Sequence, residues 1–348
     1  MKDYIKINRA IDKKSILAEA ERINALQKAG MYPVEYKYPL TLQFELTGKC
    51  NLACKHCYNR SGDDDRKKAT YMDVDKWCEL AHQIVNDGGI FQCILSGGEP
   101  LLLGDGLFRI MDILHDDGTS FVVITNGLLL NAETARRFKK YRFFWFQVSI
   151  DGYTADIHDE FRGVKGSWQN AVSGAMEISH NGIPLVIAHS VTPRNLPYLE
   201  DMVKLAHQIG ANSIMLGEIL PSGRAISNNE IIFSPEERNV FYGKIMELSK
   251  KYQGIIRIER SMGLKSQMEQ YINRMNSGGI IRPNGDFRLD CMAPFIMGNV
   301  LHNTIKEMWL AKGIHAWQNE KVQEYINSID DLLQAGVLKN HVDKDIKL

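Results

Sequence analysis

Along the middle of the chain, short apolar runs alternate with longer amphipathic ones. The runs Leu40–Leu46, Phe91–Leu95, Phe121–Ile124, Phe143–Ser149, Leu185–His189 and Ser213–Gly217 have the length and residue types of buried strands. Between them, helical spacing predicts helices over Met72–Asn86, Ala132–Lys139, Trp168–His180 and Tyr198–Ile209. Six strand–helix units in succession specify a parallel sheet with right-handed crossovers, two units short of a closed (β/α)8 barrel.

The flanks have other rhythms. Ile16, Leu17, Ala20, Ile23 and Leu26 share one face of a predicted helix over Lys14–Lys28, stopped by Gly30 and set to cover the end of the sheet. Asp63 to Lys68 is a charge run, expected on a solvated loop. After Pro221 the alternation ends. Ser234-Pro235 has the residue types of an N-cap and first helical position. Ile255–Arg260 reads as a strand, Ile280–Leu289 as a hairpin turning at Pro283-Asn284-Gly285, and residues from Thr304 onward as mostly helical. The expected organisation is an N-terminal helical segment (1–38), a strand–helix body (39–222) and a small α+β extension with C-terminal helices (223–348).

With 348 residues, the chain suits one large body plus appendages. Its 42 basic and 42 acidic residues cancel, so nothing suggests electrostatic binding of nucleic acid or an anionic membrane. No apolar run is long enough to span a bilayer, and the first residues lack the apolar core of a signal peptide. Six cysteines, three of them clustered, suit a reducing compartment, and the expected location is the cytoplasm.

That cluster carries the chemistry. Cys50, Cys54 and Cys57 form a Cys-x3-Cys-x2-Cys run at the end of the first strand. Three thiolates cannot all pair as disulfides, but they can converge on one metal centre. An iron–sulfur cubane usually takes four cysteines, so three leave one iron open for chemistry. Zinc would want a fourth Cys or His, and His56 sits too close to its neighbours in the run for an ordinary chelate. Cys78, in an amphipathic helix, and Cys93, in an apolar strand, read as core thiols.

The stretch from Glu45 to Tyr58, with its three cysteines, resembles the signature of the radical S-adenosylmethionine (SAM) enzymes. The resemblance implies a partial (β/α)6 barrel and a 4Fe–4S cluster on Cys50, Cys54 and Cys57. It also implies SAM bound to the unique iron and cleaved to a 5′-deoxyadenosyl radical. It sets His56 beside the adenine and the backbone at Tyr58 on its amino edge.

Further candidates follow the later strands, where α/β barrels keep their reactive residues. Strand two ends in Gly97-Gly98-Glu99-Pro100, whose paired glycines allow close backbone approach and whose family counterpart contacts the SAM amino group. Thr125, Asn126, Ser149 and Arg162 suit ribose hydroxyls and a methionine carboxylate. His189, Glu218 and Arg224 are candidates to face substrate, and the Gly223-Arg224-Ala225 phrase resembles a segment of peptide-modifying members.

The segment from Ile281 to Trp309 resembles the start of the SPASM or twitch extension, which carries auxiliary clusters in many relatives. Only Cys291 remains of the expected ligands, so the extension is expected without its clusters. Cys291 is either a core thiol or a hydrogen-atom donor to a substrate radical. The expected activity is hydrogen abstraction from a ribosomally made peptide, giving a cross-link or an epimerised residue. The partners implied are a precursor peptide, a separate leader-binding protein, and flavodoxin or ferredoxin as electron donor. A small-molecule route such as tetrapyrrole assembly is the alternative, and a non-catalytic iron–sulfur redox sensor is the reading from another class.

Overall fold

The computed structural model describes residues 25–31, 33–261, 263–336, 338 and 345–348. Most of the predicted Lys14–Lys28 helix lies outside these residues. Its last turn, 25–28, is helical, and Gly30 closes it at φ 68°.

Six strands form the body: β1 (Thr41–Glu45), β2 (Gln92–Ser96), β3 (Ser120–Thr125), β4 (Phe143–Ser149), β5 (Leu185–Val191) and β6 (Ser213–Glu218). They lie side by side in chain order, all parallel. The crossovers carry α1 (Asp64–Lys68) and α2 (Val74–Asn86), then α3 (Asp105–Asp116), α4 (Ala132–Phe138), α5 (Ala155–Arg162), α6 (Ser167–His180) and α7 (Leu199–Ile209). The predicted charged loop thus holds a short helix, its first turn bearing Asp64 and Asp65, where the helix dipole favours carboxylates.

The two faces of the sheet differ. Leu42, Phe44, Cys93, Leu95, Phe146 and Val148 are fully buried under the helices, and Phe44 packs on Trp77 of α2 at 4.9 Å between ring centroids. The alternate positions Gln43, Gln92, Ile94, Gln147 and Ser149 are only half-buried. They line the lumen of a sheet that curls but does not close.

The extension continues the same sheet. α8 (Pro235–Lys251) begins at a capping box between Ser234 and Glu237. β7 (Arg257–Arg260) then pairs parallel with β6. After α9 (Leu264–Ile272) the chain returns to the opposite edge, where β8 (Gly278–Ile281) pairs parallel with β1. β9 (Asp286–Arg288) completes the predicted hairpin, and β10 (Phe295–Asn299) and β11 (Ile346–Lys347) follow. The order is β11-β10-β9-β8-β1-β2-β3-β4-β5-β6-β7. No helix among the described residues is long and apolar enough to cross a membrane.

Candidate active site

The cysteine loop leaves β1 at Glu45 and is held on three sides. β2 holds it first: the Gly98 and Glu99 N–H groups donate to Thr47 O (2.5 Å) and Lys49 O (3.0 Å), just before Cys50. A Cβ at Gly98 would stand 1.9 Å from Lys49 O, and Gly97 has φ +133° with Thr47 O 2.7 Å from its missing Cβ. The paired glycines are therefore required by the cysteine loop itself. Glu99 is fully buried and accepts from Leu101 N, Thr125 Oγ1 and Asn126 N, at 3.0, 2.7 and 2.9 Å. Burial pushes its carboxyl up, and these donors oppose that. Thr125 is thereby turned to Glu99.

The second support is the C-terminus of α5. Ala53 N and Lys55 N donate to the carbonyls of Arg162 and Phe161, at 3.1 and 3.0 Å. Arg162 is buried, with Nη2 at 2.6 Å from Asp151 Oδ2 and Nη1 at 3.6 Å from Cys54 Sγ. The guanidinium expected on a SAM carboxylate is thus committed to Asp151 and to a cysteine sulfur. Burial pushes the Asp151 carboxyl up, but Arg162 and nearby histidines override it and bring it to about 2. Asp151 Oδ1 also accepts Ser190 N at 2.7 Å. His56 stacks on Phe161, with centroids 4.6 Å apart and planes 4° from parallel, and burial lowers its ring to about 4, so it is neutral.

The third support corrects an expectation. Arg224 does not face a substrate space. Its Nε donates to Cys54 O at 2.8 Å, and its Nη1 donates to Ser61 O at 3.1 Å and pairs with Asp63. Its N–H reaches Cys57 O at 3.1 Å, and Asn228 caps Lys55 O at 3.2 Å. A Cβ at Gly223 would collide with Cys57 O at 2.4 Å, so the turn sits directly against the loop. Glu218 is likewise not at the mouth. It shares the helix-facing side of β6 with the fully buried Leu216 and is taken up by Arg238 (2.6 Å) and Tyr242 (2.9 Å) of α8. His189 is buried beside Ile150 O at 2.9 Å, as a structural histidine would be.

Other candidates do gather. Asn126 Nδ2 donates to Asn51 Oδ1 at 2.7 Å and lies 3.8 Å from Cys50 Sγ. Ser149 stands on the lumen face of β4, beside Ala188 of β5. Tyr58 hydrogen-bonds Glu45, which opens a buried network with Arg282, Arg288 and Asp345. Cys291 adjoins it: Arg288 Nη1 donates to Cys291 O at 3.0 Å, and the thiol hydrogen-bonds Asp290. Burial pushes the Cys291 thiol well up, so it keeps its proton. Asp151, Asn51, Asp63 and the Arg282–Arg288 pair are missing from the sequence candidates. Each gains its role from a partner on another element or loop, and no local spacing announces it.

The donor set fits an iron–sulfur centre. Burial pushes Cys50 up to about 12 and raises Cys54, so as free thiols they stay protonated, and a cationic metal centre supplies what would ionise them. N–H donors of Asn126 and Arg162 already lie near two of the sulfurs. Among the described residues, no three His, Cys, Asp or Glu side chains are arranged to hold a single metal ion.

Residues 44–206 match the radical SAM superfamily. The chain is 28% identical over 319 residues to the AdoMet-dependent heme synthase of Nitratidesulfovibrio vulgaris, covering 82% of each chain. It is 25% identical over 291 residues to the antilisterial bacteriocin subtilosin biosynthesis protein AlbA of Bacillus subtilis, covering 82% of this chain and 62% of that one. The solved structure of Streptococcus suis SuiB bound to S-adenosylmethionine shares the fold at a TM-score of 0.66 and 14% identity, over 98% of this chain and 85% of that one.

Proposed function

Since residues 44–206 make this chain a member of the radical SAM superfamily, an enzyme with a 4Fe–4S cluster and SAM as cofactors, we propose that it modifies a ribosomally made peptide by a cross-link or an epimerisation. The observation that carries this reading is the lumen, whose half-buried strand positions include Gln43, Gln92, Gln147 and Ser149. Amides that both donate and accept suit the backbone of a peptide.

When bound, the cluster and SAM supply an adenosyl radical that takes hydrogen from a substrate C–H bond. The chain's part is positioning and shielding. Cys50, Cys54 and Cys57 hold the cluster. His56, neutral and stacked on Phe161, takes the adenine side with Tyr58, while Asn126 and Ser149 take the ribose side. Gly97, Gly98, Glu99, Thr125, Arg162 and Arg224 set the shape of the loop that carries the cysteines. Cys291, protonated and beside Asp290, is assigned as hydrogen donor if the product is an epimer. Turnover by Cys291→Ala with unchanged product stereochemistry would refute that assignment.

A tetrapyrrole pathway is the second reading, favoured by Arg282 and Arg288. These two buried guanidiniums would match carboxylates if Asp345 released them. Co-expression with candidate precursor peptides in heavy water, read by mass spectrometry, separates the readings. Loss of two hydrogens marks a cross-link or a desaturation, and gain of one deuterium without other change marks epimerisation. Unchanged peptides together with a modified tetrapyrrole would overturn the peptide reading. A separate leader-binding protein and a flavodoxin or ferredoxin complete the proposed assembly.

A further inference from the structure

Between β1, β8 and the segment after β9 lies a cavity of about 320 Å³, at the small end of ligand sites. Its wall includes Gln43 and Gln92 from the lumen face of the strands, Tyr271, Trp317 and Asp290. It adjoins the proposed active site: Glu45, two residues beyond Gln43 on the same face of β1, bonds Tyr58, and Asp290 bonds the Cys291 thiol.

The charge of this wall is one-sided. Asp290 is its only acid, and no Lys, Arg or His lines it among the described residues. Arg288, outside this wall, has Nη1 on Cys291 O (3.0 Å) and Nε toward Asp345 (3.2 Å), and its charge is still felt by Asp290. Asp290 accepts the Met292 N–H at 2.8 Å; burial pushes its carboxyl up, and the Met292 N–H, the Arg288 charge and the Cys291 thiol oppose that. In the same wall, the Tyr271 and Trp317 rings lie with centroids 4.7 Å apart. Aromatic faces attract cations, and a carboxylate ligand entering here would meet Asp290 with no cation in the described wall to receive it.

We propose that this cavity takes a cationic side chain of the substrate, an ammonium or a guanidinium, with Asp290 as its counter-ion and the Tyr271–Trp317 pair as its apolar wall. The inference rests on the peptide reading for the nature of the substrate, but it is tested without it. Holoenzyme with SAM is titrated with N-acetyl-lysine amide, N-acetyl-norleucine amide and N-acetyl-glutamate amide, and binding is followed by ligand-observed NMR. The lysine probe is expected to bind about tenfold more tightly than the glutamate probe, a preference that Asp290→Asn removes. Tyr271→Leu, which keeps the carboxyl, is expected to weaken the lysine probe more than the norleucine probe. Equal binding of lysine and glutamate probes, or a preference that survives Asp290→Asn, would overturn the site. Turnover of a tetrapyrrole alongside an intact, Asp290-dependent lysine preference would instead sink the peptide reading and leave the cation site standing.

Discussion

At the scale of single residues, the cysteine loop depends on side chains that never touch the cysteine motif in sequence. Arg224 reaches back 170 positions to Cys54 O. Arg224→Ala removes two hydrogen bonds to loop carbonyls and one ion pair, which should destabilise the loop by about 2–3 kcal/mol. Reconstituted protein should then hold less iron and lose it faster to a chelator, with Arg224→Lys falling between. Iron retention equal to that of the parent would show that Arg224 is not needed. Asp151 is the second such residue. Its folded carboxyl lies at about 2, below the ordinary 3.8, so it stabilises the fold above pH 4 and loses that contribution as pH falls toward 2. Asp151→Asn leaves Arg162 buried without a counter-charge and should cost about 3–5 kcal/mol in denaturant melts at pH 7, with a smaller deficit at pH 3. The cysteines were legible because their spacing is local. The Asp151–Arg162 pair was not, because the turn after β4 and the last turn of α5 bring it together.

At the scale of elements, the six strands of the body fall within a residue or two of their apolar runs. Their burial under helices leaves continuous hydrophobic signals of strand length. The Gly97-Gly98 turn is the element on which strand and site meet. Gly98→Ala places a Cβ against Lys49 O, and the backbone there has no flexible atom to give way. Its soluble yield should fall, or its cysteine loop should shift enough to cut cluster incorporation severalfold, as read by absorbance near 400 nm and iron assay. An alanine variant with full iron and full SAM binding would show that the loop tolerates a different path. The parallel pairing of β8 with β1 could not be read from the sequence. The hairpin signal of β8 and β9 says which strands neighbour each other, not which outer edge receives them.

At the scale of the whole molecule, buried ionisable groups surround one end of the sheet. Burial lowers His158 to about 4, while its unfolded ring binds a proton near pH 6.5. Between those values the unfolded chain holds the extra proton, so His158 makes the fold less stable as pH drops from 6.5 to 4. Buried Glu45 and Glu99, pushed up instead, act in the opposite sense. A difference measurement isolates the histidine. His158→Asn should flatten the stability–pH slope in this window by about one proton, and an unchanged slope would mean that His158 titrates alike in both states. The protein as a whole should carry iron for one 4Fe–4S centre, about four atoms per chain, and about eight would reinstate an auxiliary cluster in the extension.

The sequence by itself determined the strand–helix alternation, the cysteine trio and the family, because each is written in residues close together, by hydrophobic period or ligand spacing. Only the tertiary structure decided what Glu218 and Arg224 do. Strand parity turned Glu218 toward α8, and the return of the chain after β6 laid Arg224 under the cysteine loop. It also decided that Asp290 lines a cavity whose wall holds no cation among the described residues, since a carboxyl's surroundings are set by whichever distant strands and helices enclose it.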